Sequence, residues 1–123
     1  MGFDFCGDRP IYIQIIEFIK EAVLRGLYKP KEKLPSVRDL SLQFEVNPNT
    51  VQKALIELEQ VGLIYTESTN GKFVTSDTNV IKRIKQEMID LKVAQFFEAM
   101  ENIGLNKEDV LLILNKEDKW WIF

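Results

Sequence analysis

Asn49, Gln52, Lys53 and Ile56 recur at the i, i+3, i+4, i+7 spacing that gathers side chains on one face of a helix. The chemistry this row offers is recognition rather than bond making. Carboxamides present a donor and an acceptor that match the N6 and N7 edge of adenine, and the Lys53 ammonium meets guanine or a phosphate oxygen. Thr50, close to the free backbone N–H groups at the start of the same helix, suits a phosphate oxygen. Arg38, upstream of the row, adds a planar fork that clamps phosphate or guanine. Bond-making chemistry has few candidates. The chain has no His and one Cys, Cys6, which excludes a His-based triad, a Cys/His zinc site and an internal disulfide. Cys6 reads as a structural residue near the terminus rather than a redox sensor. No phosphate-binding glycine loop, nucleophile-and-base pair or metal-spaced cluster appears, so no enzyme activity, cofactor or metal is expected.

Two short runs must position the row. In Leu34-Pro35-Ser36-Val37-Arg38, Ser36 stands three residues before Asp39, and in Val46-Asn47-Pro48-Asn49-Thr50-Val51, Asn47 is followed by Pro48. Both patterns mark helix N-termini. They predict one helix from about Ser36 to Phe44 and a second from about Asn47 to Val61, joined through Glu45 and Val46 as a helix-turn-helix. In that motif the second helix enters the DNA major groove. Val51, Ala54, Leu55 and Leu58 then point into the core, leaving Asn49, Gln52 and Lys53 outward. Ser36 and Asn47, at the two helix starts, complete the candidate surface on this motif.

A helix upstream is expected from about Pro10 to Gly26, with Tyr12, Ile15, Ile16, Ile19, Ala22 and Val23 as its apolar stripe. Tyr28 to Leu34 reads as a solvated loop carrying Lys29, Lys31 and Lys33. Downstream, Leu63 to Thr66 and Phe73 to Thr75 read as short strands. Asn70-Gly71 between them is the strongest hairpin-turn signal. A hairpin after a reading helix is a wing, and Lys72 at its tip would reach phosphate or the minor groove.

A polar stretch, Ser76 to Asn79, divides the chain into a winged helix-turn-helix DNA-binding domain over 1–77 and a helical region over 78–123. The second part is expected to hold a long helix from about Thr78 to Asn102, then a helix capped by Asn106 with Asp109. Apolar residues on the long helix cover more than one face, and about 45 residues in two helices rarely build an independent core. Dimerisation through Ile84, Met88, Leu91, Phe96, Phe97 and Met100 is the economical solution, with two-fold symmetry the commonest form. The final Trp120-Trp121-Ile122-Phe123 would be adhesive if exposed and is expected to pack on the helices or on a partner. The fold class is thus mainly α with a small β-hairpin.

Charge weighs against a strong nucleic-acid field. The formal net charge is -3, and residues 1–78 carry nine Lys or Arg against eleven Asp or Glu. Placement matters more than the sum, since Arg38, Lys53 and Lys72 fall on the elements that face DNA while Glu17, Glu21, Glu57 and Glu59 lie on helices able to point elsewhere. Modest, salt-sensitive binding by one copy follows. No apolar run approaches the roughly 20 residues that cross a bilayer, and the N-terminus lacks a basic segment followed by an apolar signal core. The expectation is a cytoplasmic protein with no membrane partner.

The same residues carry a resemblance. Pro10-Ile11-Tyr12-x-Gln14-Ile15, Leu34-Pro35-Ser36-Val37-Arg38-x-Leu40, the run from Val46 to Ala54, and Leu58-Glu59-x-x-Gly62-Leu63-Ile64 resemble the GntR family of bacterial transcription regulators. The short two-helix C-terminal part is similar to the YtrA subfamily, whose members dimerise through it. The resemblance implies DNA contacts at Arg38, Asn49, Thr50, Gln52 and the wing glycine, Gly71. It also implies a homodimeric, repressor-type regulator of an inverted-repeat operator. A small-molecule effector would act by changing the half-site distance, and the sequence identifies no pocket for one. The chain departs from the family pattern at Lys31, where glycine commonly follows the loop proline, and at Ser41, where alanine is usual. Its wing reads Thr69-Asn70-Gly71-Lys72-Phe73-Val74 instead of Gly-Lys-Gly-Thr-Phe-Val, and Pro48 replaces an arginine that contacts DNA in many relatives outside the subfamily. The competing class is a winged-helix protein-interaction module without sequence-specific DNA binding, which the acidic balance favours.

Overall fold

The computed structural model describes Phe5 and residues 7–116. Cys6 and the Trp120 to Phe123 tail, for which packing roles were expected, lie outside the described residues. Two compact units divide between Lys85 and Gln86.

In the first unit α1, Ile11–Leu24, follows Pro10, whose carbonyl accepts from the amides of Ile13 and Gln14. It buries Ile15, Ile16, Ile19, Ala22 and Val23. Gln14, also buried, is satisfied by donating from Nε2 to the Arg9 carbonyl at 2.9 Å. Helix α2, Val37–Phe44, starts on Ser36, whose hydroxyl accepts from the Asp39 amide at 3.0 Å. It stops where Glu45 turns left-handed at φ 57° and ψ 47°. Helix α3, Pro48–Gln60, starts on Asn47, whose Oδ1 accepts from the Asn49 amide at 2.8 Å. Both caps and the proline at the first helical position stand where the sequence puts them. Val51, Ala54, Leu55 and Leu58 of α3 are at most 1% exposed and join α1 and Phe44 in one core. Phe18 meets Phe44 edge-on, with ring centroids 5.3 Å apart.

The wing differs from expectation in two ways. Strand β1, Ile64–Thr66, pairs antiparallel with β2, Lys72–Val74, with Thr66 opposite Lys72. The loop spans residues 67–71 and contains the Asn70-Gly71 pair, with Ser68 and Thr69 extending the connection. Residues Ser68–Asn70 form one 3-10 turn, and the left-handed positions are Ser68 and Gly71, not Asn70. Secondly, the segment expected to be a solvated loop pairs with the free edge of β2. Lys31 N donates to the Val74 carbonyl at 2.8 Å, Val74 N to Glu32 O at 2.9 Å, and Leu34 N to Lys72 O at 2.9 Å. Lys33 and Phe73 form an antiparallel bridge. Both edges of β2 are thereby satisfied.

Helix α4, Thr78–Asn102, matches its expected span, but its first turns belong to the first unit. Ile84 is 1% exposed within the same core, with Val80 and Ile81 packed against it. Ile84 is therefore corrected from a dimerisation residue to a core residue of its own protomer. The compact unit runs past the 77/78 boundary accordingly. In the second unit, the remainder of α4 is followed by α5, Lys107–Leu114. Its start is a reciprocal capping box, with Asn106 Oδ1 accepting from Asp109 N at 2.8 Å and Asp109 Oδ2 accepting from Asn106 N at 3.1 Å. Met88 and Val110 are buried, whereas Leu91, Phe96, Ile103 and Leu112 are exposed. Among the described residues no helix is long and apolar enough to cross a membrane.

Candidate nucleic-acid interface

The two caps fix the positions from which α2 and α3 present polar side chains. Arg38, in the first turn of α2, is exposed and makes no ion pair among the described residues, neither with Asp39 nor with Glu45. Asn49, Gln52 and Lys53 are exposed on α3, with Thr50 half-buried beside them. Ile56 continues the row as an exposed apolar residue. The structure thus brings the predicted row together on one open face whose opposite side is the core.

Ser36 and Asn47 stand differently. Their oxygens already accept from the amides of Asp39 and Asn49, while the Ser36 hydroxyl proton and the Asn47 NH2 group remain as donors. A phosphate oxygen is a suitable acceptor for either. Their main contribution is to fix the helix starts.

Lys53 does not extend freely along the row. Its Nζ lies 4.0 Å from the centroid of the Tyr12 ring on α1, a cation–π contact. Ile11, Tyr12, Asn49, Thr50 and Lys53 line one shallow hollow between the starts of α1 and α3. Tyr12 belongs to the apolar stripe of α1 by its spacing, and nothing in a one-dimensional pattern reveals that its ring meets a cation from α3.

Lys72 is corrected in place and in charge. It stands at the first position of β2, opposite Thr66 and away from the hairpin tip. Its ammonium donates to Glu59 Oε1 at 3.0 Å and to Thr66 Oγ1 at 2.8 Å, while Thr66 Oγ1 donates to Glu59 Oε2 at 2.9 Å. The hydrogen bond from Lys72, then that from Thr66, holds the Glu59 carboxyl below the usual carboxylate range. This trio fastens the wing to the end of α3 and compensates the charge of Lys72. Glu59 consequently does not point away from the wing, as its position alone implied.

Gly71 is demanded by the backbone. Its φ of 111° and ψ of -159° lie in a region that is essentially open to glycine alone. A Cβ there would also stand 2.9 Å from Lys33 Cε. Lys33, missed as a wing residue, bridges to Phe73 far along the chain, and no local pattern in the sequence marks that pairing.

Comparison with known proteins adds the family context. Residues 11–74 match the profile described as bacterial regulatory proteins, gntR family. The HTH-type transcriptional repressor YtrA of Bacillus subtilis is 35% identical over 111 residues, covering 90% of this chain and 81% of that protein. A GntR family transcriptional regulator from Listeria monocytogenes superposes with a TM-score of 0.79 at 35% identity, covering 89% of this chain and 96% of that one. The DNA-binding domain of AraR in complex with its operator ORX1 gives a TM-score of 0.56 at 29% identity, covering 61% of this chain and 95% of that one.

Proposed function

Because the chain belongs to the GntR family of bacterial transcription regulators, we propose that it is a repressor that binds an inverted-repeat operator as a homodimer. The observation that carries this reading is the open polar row of Asn49, Gln52 and Lys53 on α3, flanked by an Arg38 that no acidic side chain among the described residues neutralises. Gln52 and Asn49 read adenine edges, Arg38 clamps phosphate or guanine, and Thr50 with the first amides of α3 takes a phosphate. The wing loop, with Gly71 at its end, lies alongside as a backbone-contacting element. YtrA bears the name of a repressor, and AraR is held on operator DNA in its complex.

The second unit supports the dimer. Leu91, Phe96, Ile103 and Leu112 are 39% to 70% exposed, more apolar surface than a small helical unit leaves bare alone. Met88, Phe97 and Met100 lie on the same helix as Leu91 and Phe96 and are buried or half-buried in the single copy. Two copies supply the affinity that an acidic domain lacks, and two-fold symmetry turns one half-site into an inverted repeat. The protein would act in the cytoplasm, where its operator is found.

Selection of bound fragments from a random DNA library tests the reading. A two-fold symmetric motif should emerge, and anisotropy titrations on that duplex should show log affinity falling linearly with log salt. Arg38→Ala should cost about 1 to 3 kcal/mol of binding with the fold intact. Absence of an enriched motif, together with flat salt dependence, would refute sequence-specific binding and favour a protein-interaction module.

A further inference from the structure

We propose that Tyr12, on the first turn of α1, is a positioning residue for DNA binding that holds Lys53 ready for a backbone phosphate. The inference rests on the reading of the α3 face as a DNA interface. Lysine is a flexible side chain, and ordering it on binding has an entropic cost that a preformed contact avoids. Here the ammonium already sits 4.0 Å from the Tyr12 ring centroid. A ring face satisfies a cation electrostatically without using its N–H groups. Lys53 is exposed and makes no ion pair among the described residues, so those donors stay open to a ligand.

The ring is itself held. Tyr12 is half-buried and packs against the hydrophobic core. The hollow it shares with Asn49, Thr50 and Lys53 lies at the seam of α1 and α3. The cation is therefore held over a ring of α1, at the hollow that Asn49 and Thr50 line at the start of α3. The N-terminus of that helix already favours an anion, so the geometry points to phosphate rather than guanine as the partner of Lys53. Helix α1, outside the helix-turn-helix, thereby contributes to the interface without supplying a charge.

A double-mutant cycle on the wild-type-enriched duplex tests this. Lys53→Met should weaken binding to all sequences alike and reduce the log–log salt slope by about 0.9. Tyr12→Phe, which keeps the ring, should bind like wild type. Tyr12→Leu, which keeps apolar bulk, should weaken binding about two- to five-fold, and should have no further effect in the Lys53→Met background. In the free wild-type protein, NMR should show the Lys53 Hε resonances shifted upfield by the ring, a shift kept in Tyr12→Phe and lost in Tyr12→Leu. Equal losses from Tyr12→Leu in both backgrounds, or unshifted Lys53 Hε resonances in the wild type, would overturn the proposal while leaving the DNA-binding reading intact. Failure of the wild type to enrich any duplex would instead overturn that reading.

Discussion

Replacing Gly71 with alanine tests the wing geometry most sharply. At φ 111° and ψ -159° an L residue is strained by about 1 to 3 kcal/mol. Alanine returns about 0.4 to 1 kcal/mol by narrowing the unfolded ensemble. The new Cβ would approach Lys33 Cε at 2.9 Å, but that atom is near the end of a flexible side chain and can withdraw cheaply. The net loss should be about 1 to 2 kcal/mol, governed by the backbone rather than by the clash. For a domain of this size the corresponding fall in Tm is roughly 4 to 16 °C. Urea and thermal unfolding followed by circular dichroism measure it directly. The double variant Lys33→Ala/Gly71→Ala isolates the cause, because removing the Lys33 side chain should restore little. Wild-type stability in Gly71→Ala would refute the glycine-only conformation, and full rescue by Lys33→Ala would show that crowding, not φ, sets the cost.

Four further variants have expected outcomes. Glu59→Gln should lower stability at neutral pH by about 0.2 to 1 kcal/mol, since the Lys72–Glu59 pair is partly solvated. The Glu59 pKa is lower folded than unfolded, so its stabilisation is complete above the unfolded pKa and is lost as pH falls through the folded one. Wild-type and variant urea midpoints should therefore converge on acidification. Glu45→Gly should stabilise the protein by about 0.5 to 1 kcal/mol, because relief of the left-handed backbone at φ 57° outweighs the added unfolded-state freedom; differential scanning calorimetry reads the gain. Ile84→Ala should cost about 2 to 5 kcal/mol as a fully buried truncation, whereas Leu91→Glu, at an exposed site, should move sedimentation toward monomer.

The helix-turn-helix was legible because its determinants are local. Ser36 and Asn47 cap within three residues of themselves, and the apolar spacing of Val51, Ala54, Leu55 and Leu58 fixes which side of α3 faces outward. The wing was half legible. Its two strands follow from β-branched and aromatic residues, but within the loop the positive φ falls on Ser68 and Gly71 rather than on both residues of the Asn-Gly pair. Pairing of Lys31 to Leu34 with β2 joins segments about forty residues apart in the chain, and no short-range pattern encodes such a bond. The same limit hid the Tyr12–Lys53 and Lys72–Glu59 contacts, which depend on how elements sit in space. Ile84 was correctly apolar, yet spacing alone does not say which of two neighbours an α4 residue serves.

The strand pairing of Lys31 to Leu34 has a topological consequence. Main-chain bonds on the two edges of β2 tie the segment before α2 to the segment after α3, so α2, the turn and α3 together form one excursion closed at its base. Neither end of the reading motif can peel away without breaking the sheet. Loop closure is paid once, in folding, and binding inherits a rigid frame on which Arg38, Asn49 and Gln52 keep fixed mutual distances.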